Sequence, residues 1–179
     1  MPELILPSAH VHASFLNAMD ELAAEGRGRP DDRSMVGHEL REYGDRWTDP
    51  VLFGDYVAWL RDQAREEAPR PAGLVPSTTR WWVNEQEYLG RLAIRHRLTP
   101  TLLSFGGHIG YDVRPSARRR GHATAMLAQA LPLVAKLGID PVLVTCDDDN
   151  TGSKKVIEAN GGVFEDQRGV KLRYWIPTS

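Results

Sequence analysis

An α+β domain is the fold class that the sequence predicts, a three-layer α/β/α sandwich around a mixed, mostly antiparallel sheet. Three observations predict it. Helical periodicity dominates the first 76 residues, an antiparallel meander begins after Ser77, and the C-terminal part alternates strand, helix, strand, helix, strand. With 179 residues the chain fits a single domain, 1–179, divided by this change of texture into 1–76 and 77–179.

The elements follow in order. Glu3 to Leu6 reads as a short strand closed by Pro7. Val11, Phe15, Leu16, Met19, Leu22 and Ala23 recur at helical spacing over Ala9–Glu25, with Ser8 as N-cap and Gly26 as stop. A short helix is expected near Met35 to Tyr43, and another from Val51 or Asp55 to Glu67, ended by Pro69 and Pro71. Thr79–Val83 and Tyr88–Arg97 form strands around the turn Asn84–Glu87, and Gly107–Val113 a third. Pro100 leaves Leu98–Phe105 without a clear reading. A helix runs from Gly121 to Lys136, with a kink expected at Pro132 because its ring crowds the carbonyl four residues earlier. A buried-type strand spans Pro141–Cys146, a helix Thr151–Asn160, and a hairpin Val163–Glu165 with Lys171–Ile176.

Composition narrows the function. A net charge of -2, with both signs interleaved, argues against a nucleic-acid grip, which needs a basic excess to displace counterions. No apolar run approaches the roughly 20 residues of a membrane span, and Met1-Pro2-Glu3 lacks the flank of a signal peptide. Cys146 is the only cysteine, so no intrachain disulfide can form and a cytoplasmic location is expected.

The segment that carries chemistry is Arg118-Arg119-Arg120-Gly121-His122-Ala123, between a strand and a helix. Small residues at 121 and 123 let backbone approach a bulky anion, and the N–H groups of a helix start point outward. Three arginines add charge for phosphate oxygens, so the residues themselves propose a pyrophosphate cradle. A solvated basic turn that caps a helix is the plain alternative.

In context the segment resembles the Gln/Arg-x-x-Gly-x-Gly/Ala signature of the GNAT acetyltransferases, with Arg118, Gly121 and Ala123 on the defining positions. The similarity extends over Gly107–Pro115, like the family's fourth strand, and Val142–Cys146, like its fifth. It continues through Asn150-Thr151-Gly152-Ser153 and the helix ending Glu158–Gly162. Residues 1–76 would then lie on the acceptor side and 77–179 form the acetyl-CoA-binding core. The resemblance implies acetyl transfer from acetyl-CoA to a primary amine by direct attack in a ternary complex, with no metal. The backbone of Tyr111, Asp112 and Val113 would pair with the pantetheine arm. Arg118 and the N–H groups of Arg119, Arg120, Gly121, His122, Ala123 and Thr124 would take the pyrophosphate. Asn150 and Ser153 would contact pantetheine near the thioester, although Asn150 also reads as a helix N-cap.

The chain departs from the family at Ile157, where many relatives carry the tyrosine that protonates the departing thiolate. His108 is the candidate base and Tyr111 the candidate acid, against the plainer readings of a hydrogen-bonded structural histidine and a core aromatic. Trp81, Trp82, Arg95, His96, Glu39, Asp45 and Asp49 are candidates for the acceptor side. A small-molecule amine is the expected acceptor, since no extended docking surface of one sign is visible; a homodimer is a family-based expectation. Two other readings stay open. One is an acyl-CoA-binding sensor or scaffold without activity. The other is an imperfect calcium loop, Asp147-x-Asp149-x-Thr151-Gly152 with Glu158 at the twelfth place.

Overall fold

The computed structural model describes residues 1–179. Strand β1 (Glu3–Ile5) leads through a 3-10 turn into α1 (His12–Ala24), followed by α2 (Met35–Tyr43) and α3 (Pro50–Asp62). The meander β2 (Ser77–Asn84), β3 (Glu87–Arg95) and β4 (Ile109–Val113) follows. Then come α4 (His122–Lys136), β5 (Val142–Asp147), α5 (Thr151–Ala159) and the hairpin β6 (Val163–Arg168) and β7 (Lys171–Ile176). The seven strands form one sheet in the order β1-β2-β3-β4-β5-β7-β6, antiparallel throughout except between β4 and β5.

Two apolar cores fix the layers. In α1 the buried residues Phe15, Ala18, Met19 and Leu22 share one helical stripe. They pack with Trp47, Phe53, Tyr56 and Trp81 on one face of the sheet. On the other face Met126, Leu127, Ala130 and Val134 of α4, with Ile157 of α5, cover Trp82, Leu92, Ile94, Ile109 and Val144. Strand alternation therefore sends the adjacent tryptophans 81 and 82 into opposite cores. Both are core aromatics.

The caps explain the helix starts. The Ser34 hydroxyl accepts from the Gly37 N–H at 3.1 Å. Asp49 caps α3 by accepting from Val51 and Leu52, and Pro50 takes the first helical position, where no N–H is needed. Ser8 makes no capping bond to the backbone; its hydroxyl pairs with His10 instead.

Several boundaries differ from expectation. Helix α3 stops at Asp62, five residues before Glu67, because Arg70 folds back onto the carbonyls of Gln63, Arg65 and Glu66 and closes a turn. The unassigned stretch after Leu98 holds a π-helical turn, Leu102–Gly106, closed by Gly107 N–H on Leu102 O at 2.6 Å. Helix α4 continues through Pro132 to Lys136, with Pro132 on its exposed side, where water can satisfy the freed carbonyl. No helix is long and apolar enough to cross a membrane.

Candidate active site

Strands β4 and β5 touch at one point and then part. Ile109 pairs with Val144, and His108 donates its N–H to Leu143 O at 2.8 Å. Beyond that rung β4 stays paired to β3 as far as Val113–Gly90, and β5 to β7 as far as Asp147–Lys171. The pairs β3–β4 and β5–β7 run without a register shift on either side of a gap that opens only between the two parallel strands.

Alternation decides which groups face that gap. Arg114 donates its N–H to Leu89 O at 2.8 Å, and Arg95 to His108 O at 2.7 Å. The even residues of β4 therefore turn their backbone toward β3, and Tyr111 and Val113 turn theirs toward the gap. Asp112 is a correction to the sequence expectation. It pairs with Arg91 of β3, and its side chain meets Arg27 on the opposite face at 3.0 Å, so it offers the gap no backbone group.

The gap leads to the start of α4. Arg119 and Gly121 both have positive φ, 63° and 80°, a left-handed kink that aims successive amides the same way. The first bond of the helix runs from Ala125 N–H to Gly121 O at 3.1 Å, and the amides from Arg119 to Thr124 have no acceptor in the chain. Gly121, as N-cap, has no side chain to satisfy them. Arg119 and Arg120 are exposed. Arg118 departs from expectation: its guanidinium is held bidentate by Glu25 at 2.8 Å and donates to Val113 O at 3.1 Å. It fastens the cradle to α1 instead of standing free for phosphate. Glu21 repeats the device one turn earlier, gripping Arg114 and accepting the Ser116 N–H at 2.8 Å. His122 is anchored from the core side, where the Trp82 indole donates to its Nδ1 at 3.1 Å. Sequence reasoning missed Glu21 and Glu25, and placed Trp82 on the acceptor side, whereas its indole anchors the start of α4. The one available signal was spacing, since Glu21/Glu25 and Arg114/Arg118 both stand four residues apart.

Across the gap, three predicted residues come together. The Tyr111 phenol lies 2.5 Å from the Ser153 hydroxyl, and Ser153 N–H donates to Asn150 Oδ1 at 3.0 Å. Asn150 is thus the N-cap of α5. Burial pushes the Tyr111 hydroxyl up to about 12, against the pull of Ser153, so the phenol is protonated across the neutral range.

His108 is the third correction, after Asp112 and Arg118. Its ring is only 7% exposed, and Nδ1 accepts the Leu143 N–H at 2.9 Å. Burial first, and the nearby Arg95 charge second, lower its pKa to about 4. A base needs a free lone pair, and this one holds β4 to β5. His108 is a structural histidine.

These features lie side by side: an unpaired strand edge along Tyr111 and Val113, orphan amides beyond it at the start of α4, and the Tyr111 phenol beside the edge on the α5 side. Residues 30–163 match the family described as acetyltransferase (GNAT) domain, three quarters of the chain. The chain belongs to the GNAT acetyltransferase family. It is an acetyl-CoA-dependent N-acetyltransferase, and the orphan amides and open edge fit an acyl-CoA. Solved structures agree on the fold. RimJ of Mycobacterium smegmatis, in complex with CoA-disulfide, is 18% identical, with a TM-score of 0.67 over 98% of this chain and 81% of that one. RimL, a ribosomal L7/L12 alpha-N-protein acetyltransferase in complex with coenzyme A, is 14% identical at 0.63 over 99% and 96%. The microcin C7 self-immunity acetyltransferase MccE, with acetyl-CoA and AMP, is 12% identical at 0.64 over 98% and 92%. No curated protein sequence matches the chain.

For this GNAT enzyme the face opposite α4 and α5 is dense with paired charge. Glu39 is buried between Arg91, at 2.9 Å, and the Tyr56 hydroxyl, at 2.5 Å. Arg27 joins Asp112 and Asp32, whose carboxyl is held down at about 2 by hydrogen bonds from Gly28 and Ser34 and by Arg27, against the effect of burial. Asp49 is used as a cap, and Asp45 lies exposed in a 3-10 turn. His96 pairs with the Thr78 hydroxyl at 2.8 Å. The calcium loop does not form: α5 takes up Thr151 to Glu158, Asp147 pairs with Lys171, and Glu158 accepts from Tyr174. No three acidic, cysteine or histidine side chains converge as metal ligands.

Proposed function

We propose that this GNAT enzyme acetylates the primary amine of a small molecule by direct attack in a ternary complex. The observation that carries the reading is the β4–β5 gap, with unpaired groups at Tyr111 and Val113, orphan amides from Arg119 to Thr124, and the Tyr111–Ser153 pair beside it. The pantetheine arm lies along Tyr111 and Val113 as an added strand, and the pyrophosphate takes the amides of 119–124 with Arg119 and Arg120 at the rim. Entering from the cradle, the arm runs back along β4, so its thioester reaches the rung at Ile109.

There the amine nitrogen forms the new C–N bond as the C–S bond breaks. The oxygen of the thioester gathers charge, which a backbone N–H on the gap side of β4 stabilises. Tyr111, kept protonated by burial and oriented by Ser153, delivers its proton to the leaving sulfur. The amine sheds its own proton to water, since His108 has no free lone pair. Holding both reactants in line supplies much of the remaining acceleration.

Calorimetric titration with acetyl-CoA tests the cofactor part, with an Arg119→Ala, Gly121→Asp double variant as control. Binding by the wild type that the variant loses supports the site; no binding by the wild type refutes the reading. Ile157, wholly buried where the family resemblance expects a tyrosine, favours a second reading, an acyl-CoA sensor without turnover. That protein would bind acetyl-CoA yet release no CoA with any primary amine.

A further inference from the structure

Of the two arginines on β3, one has no carboxylate opposite it. Arg91 has Glu39, and beside the strand Arg27 has Asp112 and Asp32, and Arg114 has Glu21. Arg95, at the end of β3, has no carboxylate. Its Nη1 donates to the carbonyls of Gly106 and Gly107, both at 3.1 Å, which leaves Nε and Nη2 of the fork without a partner in the chain. His108 beside it, its Nδ1 bonded to the Leu143 N–H, is neutral and carries no negative charge to offset it. The side chain is half-buried, and that burial lowers the Arg95 pKa with no carboxylate to offset it.

The position gives this charge a meaning. Arg95 N–H pairs with His108 O, one residue before the rung Ile109–Val144 where the gap begins. A Cβ added at Gly110, the next residue, would stand 3.7 Å from Arg95 Nη2 and 3.2 Å from Met35 Cε. Gly110 therefore lets the Met35 side chain of α2 and the free side of the guanidinium come together with no Cβ between them. The guanidinium lies on the face opposite α4 and α5, at the end of the gap remote from the phosphate cradle, where the acetyltransferase reading brings acceptor and thioester together.

We infer that the acceptor is an amino-acid-like small molecule, whose carboxylate is taken by the free edge of the Arg95 guanidinium while its amine faces the gap. A planar carboxylate matches the two parallel N–H groups that the free Nε and Nη2 edge of a guanidinium presents. This inference rests on the acetyltransferase reading and names the substrate class for the same site.

The test uses amines in matched pairs that differ by one carboxylate: L-lysine against 1,5-diaminopentane, and other amino acids against their amides. O-phosphoethanolamine against ethanolamine is added as a phosphoryl control. Released CoA thiol is read with acetyl-CoA present, and binding of each amine to the CoA-saturated protein is read by calorimetry. Carboxylated members should be favoured by about 10- to 100-fold in kcat/KM or in affinity, and Arg95→Gln should abolish that preference. Arg95→Lys, which keeps the charge but loses the fork, should retain only part of it. Acetyl-CoA affinity should stay near wild type in both variants, which separates lost recognition from lost folding, while the thermal midpoint registers the loss of the Nη1 bonds to Gly106 and Gly107. Equal handling of the pairs, a preference that survives Arg95→Gln, a preference for the phosphoryl compound alone, or no Arg95-dependent binding of any carboxylated amine would overturn the inference with the acetyltransferase reading intact. Failure of the wild type to bind acetyl-CoA would remove both.

Discussion

Tyr111 serves the gap with two parts of one residue: its backbone faces the opening, and its phenol reaches Ser153 on α5. Removing only the hydroxyl separates the two roles. Tyr111→Phe should lower kcat by about 100-fold or more while leaving the acetyl-CoA dissociation constant within about twofold. The pH profile carries the same signature. An acid must be protonated to act, and a pKa pushed up to about 12 keeps it so; the rate should show no fall from Tyr111 between pH 7 and 10. His108 makes a different prediction, one of stability. Its folded pKa of about 4 lies below the usual value of 6.5, so between these limits the unfolded chain binds a proton that the folded chain refuses. Stability should therefore be full above pH 6.5 and fall by about 3 kcal/mol as the pH drops to 4. Denaturant unfolding across that range, compared with His108→Asn, checks it; the variant should lose most of the pH dependence. Sequence supplied both residues as candidates, yet their roles turn on which lone pair is occupied and how deeply the ring is buried. Neither is a property of a residue type.

At the scale of elements, the turn into α4 was readable because its physics is local. Gly121, a helix start and three arginines within a few residues already describe an anion cradle. Gly121→Val puts a β-branched residue at φ 80° and a side chain among the orphan amides. It should cost about 1–2 kcal/mol of stability and weaken acetyl-CoA binding at least about tenfold, measured by calorimetry. Strand β4 was equally plain as a strand, but not which of its residues face the gap. That depended on the register with β3, which gives Asp112 to Arg91 and leaves Tyr111 and Val113 open. The end of helix α3 was placed too late, and the stretch with the turn Leu102–Gly106 stayed without a clear reading, for a related reason. Arg70 reaching back to Gln63 ends one, and Arg95 and Thr145 holding the carbonyls of 105–107 shape the other. Both are long side chains acting at a distance that periodicity does not record.

Across the whole molecule, the Glu39–Arg91–Tyr56 cluster ties α2 and α3 to the middle of the sheet. Arg91 is 2% exposed and its Nε has no partner, so Glu39 is what compensates its charge. Glu39→Ala should destabilise the fold by about 3–5 kcal/mol, read from denaturant midpoints, and a second change, Arg91→Met, should restore much of the loss. Rigid-body attachment of α2 also sets Met35 against Gly110, so acceptor turnover should suffer in Glu39→Ala more than acetyl-CoA binding.

By itself the sequence determined the layers, the strand and helix order and the cradle-like turn at 118–124. Each follows from periodicity, capping chemistry or short spacing, forces that act within a few residues along the chain; the grouping of Tyr111 with Asn150 and Ser153 came from the family resemblance alone. Only the tertiary structure decided that Arg118 is bound to Glu25, that His108 is a structural acceptor, and that Arg95 stands unpaired beside the gap. Each of those depends on a partner 35 or more residues away, or on the absence of one, as with Arg118–Glu25 and His108–Leu143. Charges are placed by the fold, and sequence proximity does not reveal which of them meet.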